Sequence, residues 1–159
     1  MEFVVKSPRA ADTRRWGIWL ADRLQGGDVV CLHGELGAGK TAFAQGVGAG
    51  LGVVEPLVSP TFALIHEYAI PARGIGASRL IHMDLCRLRC VEEAEQIGVP
   101  DYCQEDNICV IEWPDVAADL LPSDCLELTI EGSGAGERTL FFRAAGGGWA
   151  DRLAMPELE

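Results

Sequence analysis

The chain has 159 residues, of which 48% are hydrophobic and 23% charged, a composition typical of one globular domain. Its net charge of −11 argues against a protein that holds nucleic acid over a broad basic surface. No apolar run is long enough to span a membrane, and the first residues lack the basic and apolar regions of a signal peptide. We therefore expect a cytoplasmic protein that meets RNA, if at all, through another subunit.

The first elements in chain order are a strand and an amphipathic helix. The apolar run EFVV, residues 2–5, predicts a short strand. Ser7 and Pro8 predict the N-cap and first turn of a helix, and Gly26 and Gly27 predict its end. The apolar residues of this helix fall on one face, which we expect to pack on the core: Trp16, Trp19, Leu20 and Leu24.

A glycine-rich turn follows, in the segment LHGELGAGKTAF at residues 32–43. It connects DVVCLH, a buried-strand pattern, to a helix of small residues, and Gly34 through Thr41 fit G-x-x-x-x-G-K-[ST] without a gap. Glycines let successive N–H groups converge on a phosphate, and the helix N-terminus adds its dipole. The pattern predicts that the Lys40 amine reaches the β- and γ-phosphates and that Thr41 offers its hydroxyl to Mg²⁺.

Lys40 is one of only two lysines, against eleven arginines. A compact ammonium on a flexible stem suits a tight phosphate site, whereas the planar guanidinium of arginine suits bidentate pairing. We therefore interpret Lys40 as a required amine. No arginine neighbours the glycine loop in the sequence, which predicts that no arginine of this chain neutralises charge on the γ-phosphate.

A second candidate segment is the loop VSPTF at residues 58–62. Thr61 offers a hydroxyl that could fold over Mg²⁺ and the γ-phosphate, as switch-loop threonines do. The segment is a weak signal when taken alone, because Ser-Pro-Thr also occurs in ordinary turns. It has no arginine neighbour in the sequence either.

Two carboxylates come near the ends of apolar strand patterns. Asp84 ends LIHMD, and Glu112 follows ICVI. Open α/β sheets bind ligands at the carboxyl ends of their strands, and a desolvated carboxylate needs a cation or hydrogen-bond donors. If these strands are parallel neighbours of the strand before the glycine loop, all three features face one crevice. We interpret both acids as Mg²⁺-binding or catalytic groups, with a structural salt bridge to arginine as the alternative.

The remaining segments complete a mixed α/β pattern. TFALIHEYAI and RLIHMDLCRL predict an antiparallel pair of strands, VEEAEQIG predicts a short helix, and CLELTIEGSGAGERTLFFRA predicts a hairpin. Six cysteines form no C-x-x-C pair, so we interpret them as core residues in a reducing compartment. The three histidines, at positions 33, 66 and 82, are scattered, and we interpret them as structural.

Four motifs in order, GELGAGKTAF, SPTF, HMDLCRL and VIEWPD, resemble the bacterial TsaE family, the ATPase of tRNA threonylcarbamoyladenosine biosynthesis. The resemblance covers about residues 3–143. It implies a single α/β P-loop NTPase-like domain with a mixed central sheet flanked by helices, which we place over residues 1–145. The remaining segment GGGWADRLAMPELE predicts a loose or docking C-terminal tail over residues 146–159. The resemblance further implies a partner pair, TsaB and TsaD, which attaches threonylcarbamoyl to the adenosine beside the anticodon of ANN-decoding tRNAs.

The resemblance also implies a set of site residues. The catalytic residues would be Lys40, Thr61, Asp84 and Glu112. The Mg²⁺ ligands would be Thr41, Asp84 and Glu112. The nucleotide would contact Trp113 and the phosphate loop, which consists of Glu35, Leu36, Gly37, Ala38, Gly39, Lys40, Thr41 and Ala42. Three positions depart from the family pattern: Ala42 stands where a second threonine is usual, and Cys86 and Cys103 stand where aromatic residues are common.

Two functions from different classes remain open at this point. The chain is either an ATP hydrolase whose turnover resets a partner complex, or a nucleotide-gated binding module whose hydrolysis is incidental. A small-molecule kinase is less favoured, because no arginine-rich lid or separate acceptor domain is evident. GTP is disfavoured because the base-reading motif N-K-x-D is absent from the sequence. We expect the stretch Ser7–Thr13 to border the adenine.

Overall fold

A computed structural model of the chain describes residues 1–72, 74–132, 135–144, 146 and 148–154. The strands are β1 (Glu2–Ser7), β2 (Val29–His33), β3 (Ile65–Ala69), β4 (Arg79–Asp84), β5 (Asn107–Glu112), β6 (Leu126–Glu131) and β7 (Arg138–Ala144). The helices are α1 (Ala10–Ala21), α2 (Lys40–Gly50), α3 (Val91–Gln96), α4 (Val99–Tyr102) and α5 (Trp149–Arg152), with a 3₁₀ helix at Pro114–Leu120. None of the described helices is long and apolar enough to cross a membrane.

The strands form one mixed sheet in the order β1-β7-β6-β2-β5-β4-β3. Strand β2 lies parallel to both β5 and β6, and β4 lies parallel to β5. The predicted antiparallel pairs, β3 with β4 and β6 with β7, are confirmed, and β1 adds to the edge beside β7. The central strands β2 and β5 have continuous apolar runs because helices cover both faces of this part of the sheet.

Helices on both faces of the sheet bury two apolar clusters. Helices α1 and α2 cover one face, where Leu20 and Phe43 are fully buried. Helices α3 and α4 and the 3₁₀ helix cover the other face, where Ile81 and Ile111 are fully buried. The predicted α/β domain, with a mixed sheet flanked by helices, is therefore confirmed. The predicted apolar face of α1 also packs on the core, where Leu20 is buried and Trp16 and Trp19 are partly buried. The helix ends at Ala21, before the end predicted from Gly26 and Gly27, so the buried Leu24 lies beyond it.

The start of α1 differs from the sequence prediction. The helix begins at Ala10 with Arg9 as its N-cap, so the assignment of Ser7 as N-cap and Pro8 as first helical residue was wrong. Ser7 belongs to β1, where it pairs with Arg138 of β7. Its buried hydroxyl donates to the Arg9 carbonyl at 3.1 Å and lies 2.6 Å from Thr13 Oγ1. Pairing with β7 extends the strand through Ser7, and this overrides the local helix-start signal.

Part of the predicted C-terminal tail packs against the domain. Trp149 and Leu153 are buried, and the Trp149 indole donates to the Asp124 carbonyl at 2.6 Å. Arg152 donates to both carboxylate oxygens of Asp28, at 2.6 and 3.0 Å. Residues 155–159 lie outside the described residues, and the domain boundary at residue 145 stays a prediction.

All six cysteines are free, but they do not share one environment. Cys31, Cys109 and Cys125 are buried, as predicted for core residues. Cys86 is exposed, and Cys90 and Cys103 are half-buried, so the core assignment was wrong for Cys86. Cys86 lies two residues after Asp84, the last residue of β4, and therefore outside the strand.

Candidate nucleotide site

The glycine-rich loop runs from the end of β2 to the first residue of α2. Gly39 is the N-cap of α2 and has φ 109°, a left-handed conformation that residues with a Cβ rarely adopt. The Ala38 N–H donates to the Glu35 carbonyl at 3.0 Å, which closes a tight turn within the loop. The loop therefore ends at the N-terminus of a helix, where main-chain N–H groups and the helix dipole favour a bound anion.

Lys40 lies in the interior of this loop and is only 5% exposed. Its ammonium donates to the carbonyls of Gly34 at 2.5 Å and Glu35 at 3.3 Å. Burial lowers the pKa of Lys40, and the negative charges of Glu112 and Asp84 oppose that shift. The loop thus surrounds its one amine with oxygen atoms and places it close to two acids.

The two strand-end acids lie side by side, as predicted. Asp84 and Glu112 occupy opposed positions of the parallel strands β4 and β5 and are 5% and 3% exposed. The Thr41 hydroxyl donates to Glu112 Oε1 at 3.5 Å, and the Cys86 N–H donates to Asp84 Oδ1 at 3.0 Å. Among the ion pairs of the described residues, neither acid is paired with arginine. The described contacts therefore do not support the alternative of a structural salt bridge to arginine.

His82 contacts the site, a role that the sequence interpretation did not assign to it. Its ring is fully buried, and Nε2 lies 2.7 Å from Glu112 Oε2. Its Nδ1 is buried without a hydrogen-bond partner among the described residues. Side chains alternate along a strand, so His82 shares a face of β4 with Asp84. The His-x-Asp spacing at the end of β4 is the signal that could have revealed this contact.

Trp113 has an unusual backbone and contacts the loop lysine. It follows Glu112 directly, with φ 55° and ψ 57°, and precedes the 3₁₀ helix. A non-glycine residue in this region costs about 1–3 kcal/mol and persists where the surrounding structure enforces it. The Trp113 ring centroid lies 3.9 Å from Lys40 Nζ, so the strained turn holds an aromatic face against the amine.

The SPTF loop lies before β3. Thr61 Oγ1 is 2.9 Å from Ser59 Oγ, and no described hydrogen bond joins Thr61 to either acid, so its switch role stays a prediction. Phe62 is 83% exposed, and the Arg87 guanidinium lies 4.3 Å from its ring centroid. Arg87 thus reaches this loop from beyond the end of β4, although no arginine neighbours the loop in the sequence.

An arginine that is distant in the sequence also neighbours the glycine loop in space. Arg138, at the start of β7, is 9% exposed, and its guanidinium donates to the Ala38 carbonyl at 2.9 Å and to the Gly37 carbonyl at 3.2 Å. One hundred residues separate Arg138 from Ala38. No local sequence pattern signals such a contact, because only the pairing order of the sheet creates it.

A cavity of about 220 Å³ lies beside the loop. Arg9, Ala10 and Thr13 line one side of it, and Gly39 and Ala42 line another. The stretch Ser7–Thr13, which we expected to border the adenine, thus includes three residues of a cavity that touches the phosphate loop. The assignment of this cavity to the base stays a prediction.

His33 holds the end of β2 just before the loop. Its Nε2 is hydrogen-bonded to the Glu127 carboxylate of β6, and its Nδ1 lies 3.7 Å from Asp115 Oδ1. The hydrogen bond to Glu127 raises the pKa of His33, and partial burial opposes the shift. These contacts connect β2 to β6 and to the 3₁₀ helix, next to the turn that starts at Gly34.

The side-chain oxygens of Thr41, Asp84 and Glu112 suit a metal ion that binds together with a phosphate. Among the described residues, no group of three or more His, Cys, Asp or Glu side chains is placed to hold a metal ion alone. Mg²⁺ differs from metals held in such protein cages, because it is bound through one or two carboxylates, water and substrate phosphates. The Thr41 hydroxyl, 3.5 Å from Glu112, and the adjacent Asp84 supply that kind of partial ligand set.

Comparisons with known proteins all point to one family. The family profile "Threonylcarbamoyl adenosine biosynthesis protein TsaE" matches residues 7–140. The chain is 38% identical over 120 residues to a "tRNA threonylcarbamoyladenosine biosynthesis protein TsaE" of Bacillus subtilis, covering 76% of this chain and 72% of the relative. It is 37% identical to a protein of the same description from Treponema pallidum, covering 84% of this chain and 95% of the relative. The crystal structure of Bacillus subtilis YdiB superposes with a TM-score of 0.74 at 28% identity, covering 92% and 87% of the two chains.

Proposed function

Because the chain belongs to the TsaE family, we propose that it binds and hydrolyses ATP in threonylcarbamoyladenosine modification of tRNA, acting on the TsaB–TsaD complex. The observation that carries the proposal is the meeting of Lys40, Asp84 and Glu112 at one edge of the sheet, around a glycine loop that opens a helix. Phosphate chemistry needs a cation, a phosphate cradle and metal-binding oxygens together, and this edge supplies all three.

Binding uses the loop and the cavity beside it. Main-chain N–H groups at the start of α2 and the Lys40 ammonium bind the phosphates. The adenine occupies the cavity lined by Arg9, Ala10 and Thr13. Occupation of the loop by phosphates gives the buried ammonium an anionic partner, which favours the charged form that burial disfavours.

Hydrolysis uses the two acids in different roles. Asp84 and the Thr41 hydroxyl would hold Mg²⁺, whose chemistry would be to neutralise charge on the β- and γ-phosphates. Glu112 orients the attacking water and accepts its proton, while the oxygen of the water bonds to the γ-phosphorus and ADP leaves. His82 fixes the Glu112 carboxylate through the 2.7 Å contact at Oε2, which leaves Oε1 on the side of Thr41.

Turnover is slow without the partner proteins. An arginine acting on the γ-phosphate accelerates hydrolysis about 10³–10⁵-fold where one is present. Arg138 donates to loop carbonyls, and Arg87 lies against the ring of Phe62, so neither guanidinium is directed at the γ-phosphate in this arrangement. The acidic chain reaches tRNA through TsaB and TsaD, and the exposed Phe62 places an aromatic ring on the switch loop where a partner could sense the γ-phosphate.

The first test compares the two lysines of the chain. Lys40→Ala is expected to abolish ATP binding in calorimetric titration, because the buried amine has its contacts in the loop. Lys6→Ala is the matched control, since its side chain is 64% exposed on β1, and this variant is expected to bind as the unaltered protein does. Unchanged ATP affinity in a folded Lys40→Ala protein would remove the nucleotide loop from the proposal.

The second test separates an ATPase from a nucleotide-gated binding module. ATP turnover is measured with and without purified TsaB–TsaD, and tRNA modification with and without this chain. We expect the partners to change turnover and repeated modification cycles to require hydrolysis. Full modification in the presence of a non-hydrolysable ATP analogue would favour the binding module instead. Fast turnover that ignores the partners, together with modification that does not need this chain, would overturn the family role.

A further inference from the structure

Arg138 reaches from β7 to the main chain of the glycine loop. The carbonyls that accept from its guanidinium include those of Gly37, Ala38 and Gly136, the last at 2.6 Å. The side chain is nearly buried, and a Cβ added at Gly132 would lie only 2.8 Å from Arg138 Cδ. The end of β6 thus leaves space for this one side chain, which extends from β7 to the back of the glycine loop.

The contacts determine which way the peptide groups of the loop face. In a trans peptide the carbonyl and the following N–H point in opposite directions. Arg138 Nε holds the Ala38 carbonyl, so the N–H of Gly39 in the same peptide points away from β7. Arg138 Nη2 likewise holds the Gly37 carbonyl, and the N–H of Ala38 accordingly points away and donates to Glu35.

The positive charge of the guanidinium also favours anion binding by the N–H groups of the loop. A cation bonded to a carbonyl oxygen polarises the peptide and strengthens its N–H as a donor. The loop therefore has a buried cation on its carbonyl side, and the N–H of Gly39, immediately before α2, is directed to the opposite side.

We propose that Arg138 is a positioning residue for phosphate binding, which holds the loop peptides so that the Gly39 N–H faces the bound phosphate. The proposal rests on the nucleotide-binding part of the proposed function, and it is independent of hydrolysis and of the partner proteins. Arg138 also lines the cavity that we assign to the adenine. Its described donors bond to main-chain carbonyls, and it does not touch the nucleotide phosphates in this assignment. It acts through the main chain of the loop.

The experiment measures the affinity for ADP with Mg²⁺ by calorimetric titration, at a temperature well below unfolding. Arg138→Met keeps the apolar stem and removes every donor, and it is expected to weaken ADP binding about ten- to a hundredfold, since bonds from charged donors are the strong ones. Arg138→Lys keeps the charge but not the fork of donors. Its affinity for ADP should fall between that of the unaltered protein and that of Arg138→Met. Arg143→Met, an exposed position on the same strand, is the matched control and should bind normally.

A second readout separates positioning from mere stabilisation. The amide resonance of Gly39 in a ¹⁵N–¹H correlation spectrum without nucleotide should shift in Arg138→Met and remain in place in Arg143→Met. A folded Arg138→Met protein with unchanged ADP affinity would overturn the proposal, and so would an unmoved Gly39 resonance, whatever the melting temperature of the variant. If Arg138→Met fails to fold, normal ADP affinity in Arg138→Lys would overturn it equally.

The variants distinguish failure of the positioning role of Arg138 from failure of the proposed function. If Lys40→Ala loses ADP binding while Arg138→Met keeps it, the nucleotide site stands and the positioning role is wrong. If the unaltered protein does not bind ADP with Mg²⁺, the proposed function fails and the positioning role fails with it.

Discussion

Replacing His82 by leucine removes the donor that holds the buried carboxylate of Glu112. His82 is fully buried and Glu112 is 3% exposed, so water cannot easily replace the 2.7 Å contact. Leaving a buried carboxylate without its bonding partner costs about 3–5 kcal/mol. The Thr41 hydroxyl at 3.5 Å compensates little, but the loss of the unpartnered Nδ1 offsets part of the cost. We therefore expect a net loss of about 2–4 kcal/mol, which corresponds to about 5–15 °C in Tm for a domain of this size.

Urea unfolding of His82→Leu, Glu112→Leu and the double variant tests this reasoning as a thermodynamic cycle. Replacing both partners by apolar groups removes the unpaired charge, so the double variant should lose less stability than the sum of the single losses, by at least about 1 kcal/mol. His66→Leu on β3 is the control, because that half-buried ring contacts neither acid in the described hydrogen bonds. A His82→Leu loss below about 0.5 kcal/mol, or strictly additive losses, would refute the buried pair as a source of stability.

Three further predictions follow from the site and the packing around it. In ATPase assays with the partner complex, Asp84→Asn and Glu112→Gln should each lower kcat about 10²–10⁴-fold while changing ATP affinity far less, and normal turnover in Glu112→Gln would contradict its role. The raised pKa of His33 means that its bond to Glu127 stabilises the fold fully below about pH 6.5 and less as pH rises through the folded pKa. The difference in Tm between the unaltered protein and Glu127→Gln should therefore shrink from pH 6 to pH 9. A constant difference would disprove the link between His33 protonation and stability. Gly17→Ala would place a Cβ 2.2 Å from the Phe43 carbonyl oxygen, so urea unfolding should show a loss of about 1–3 kcal/mol, and an unchanged midpoint would count against this tight crossing of α1 and α2.

The sequence by itself determined the features that depend on neighbouring residues. The glycine spacing before Lys40 predicts a turn that opens a helix, because backbone freedom and helix starts are local properties. Apolar runs that end at Asp84 and Glu112 predict strands with an acid at the end, because alternation and burial are visible in a few residues. The side-by-side placement of the acids was conditional on parallel pairing of their strands, which the pairing of β4 with β5 and of β5 with β2 confirms.

Only the tertiary structure decided the contacts made between distant segments. Arg138 reaches the loop from 100 residues away because β7 lies beside β6, and β6 lies beside the strand before the loop. The same pairing kept Ser7 in a strand, since a ladder of hydrogen bonds to β7 outweighs a local helix-start preference. His82 meets Glu112 across 30 residues because parallel pairing places their strands side by side. Such contacts depend on which strands become neighbours, and that order is set by the packing of the whole domain rather than by any short stretch of the chain.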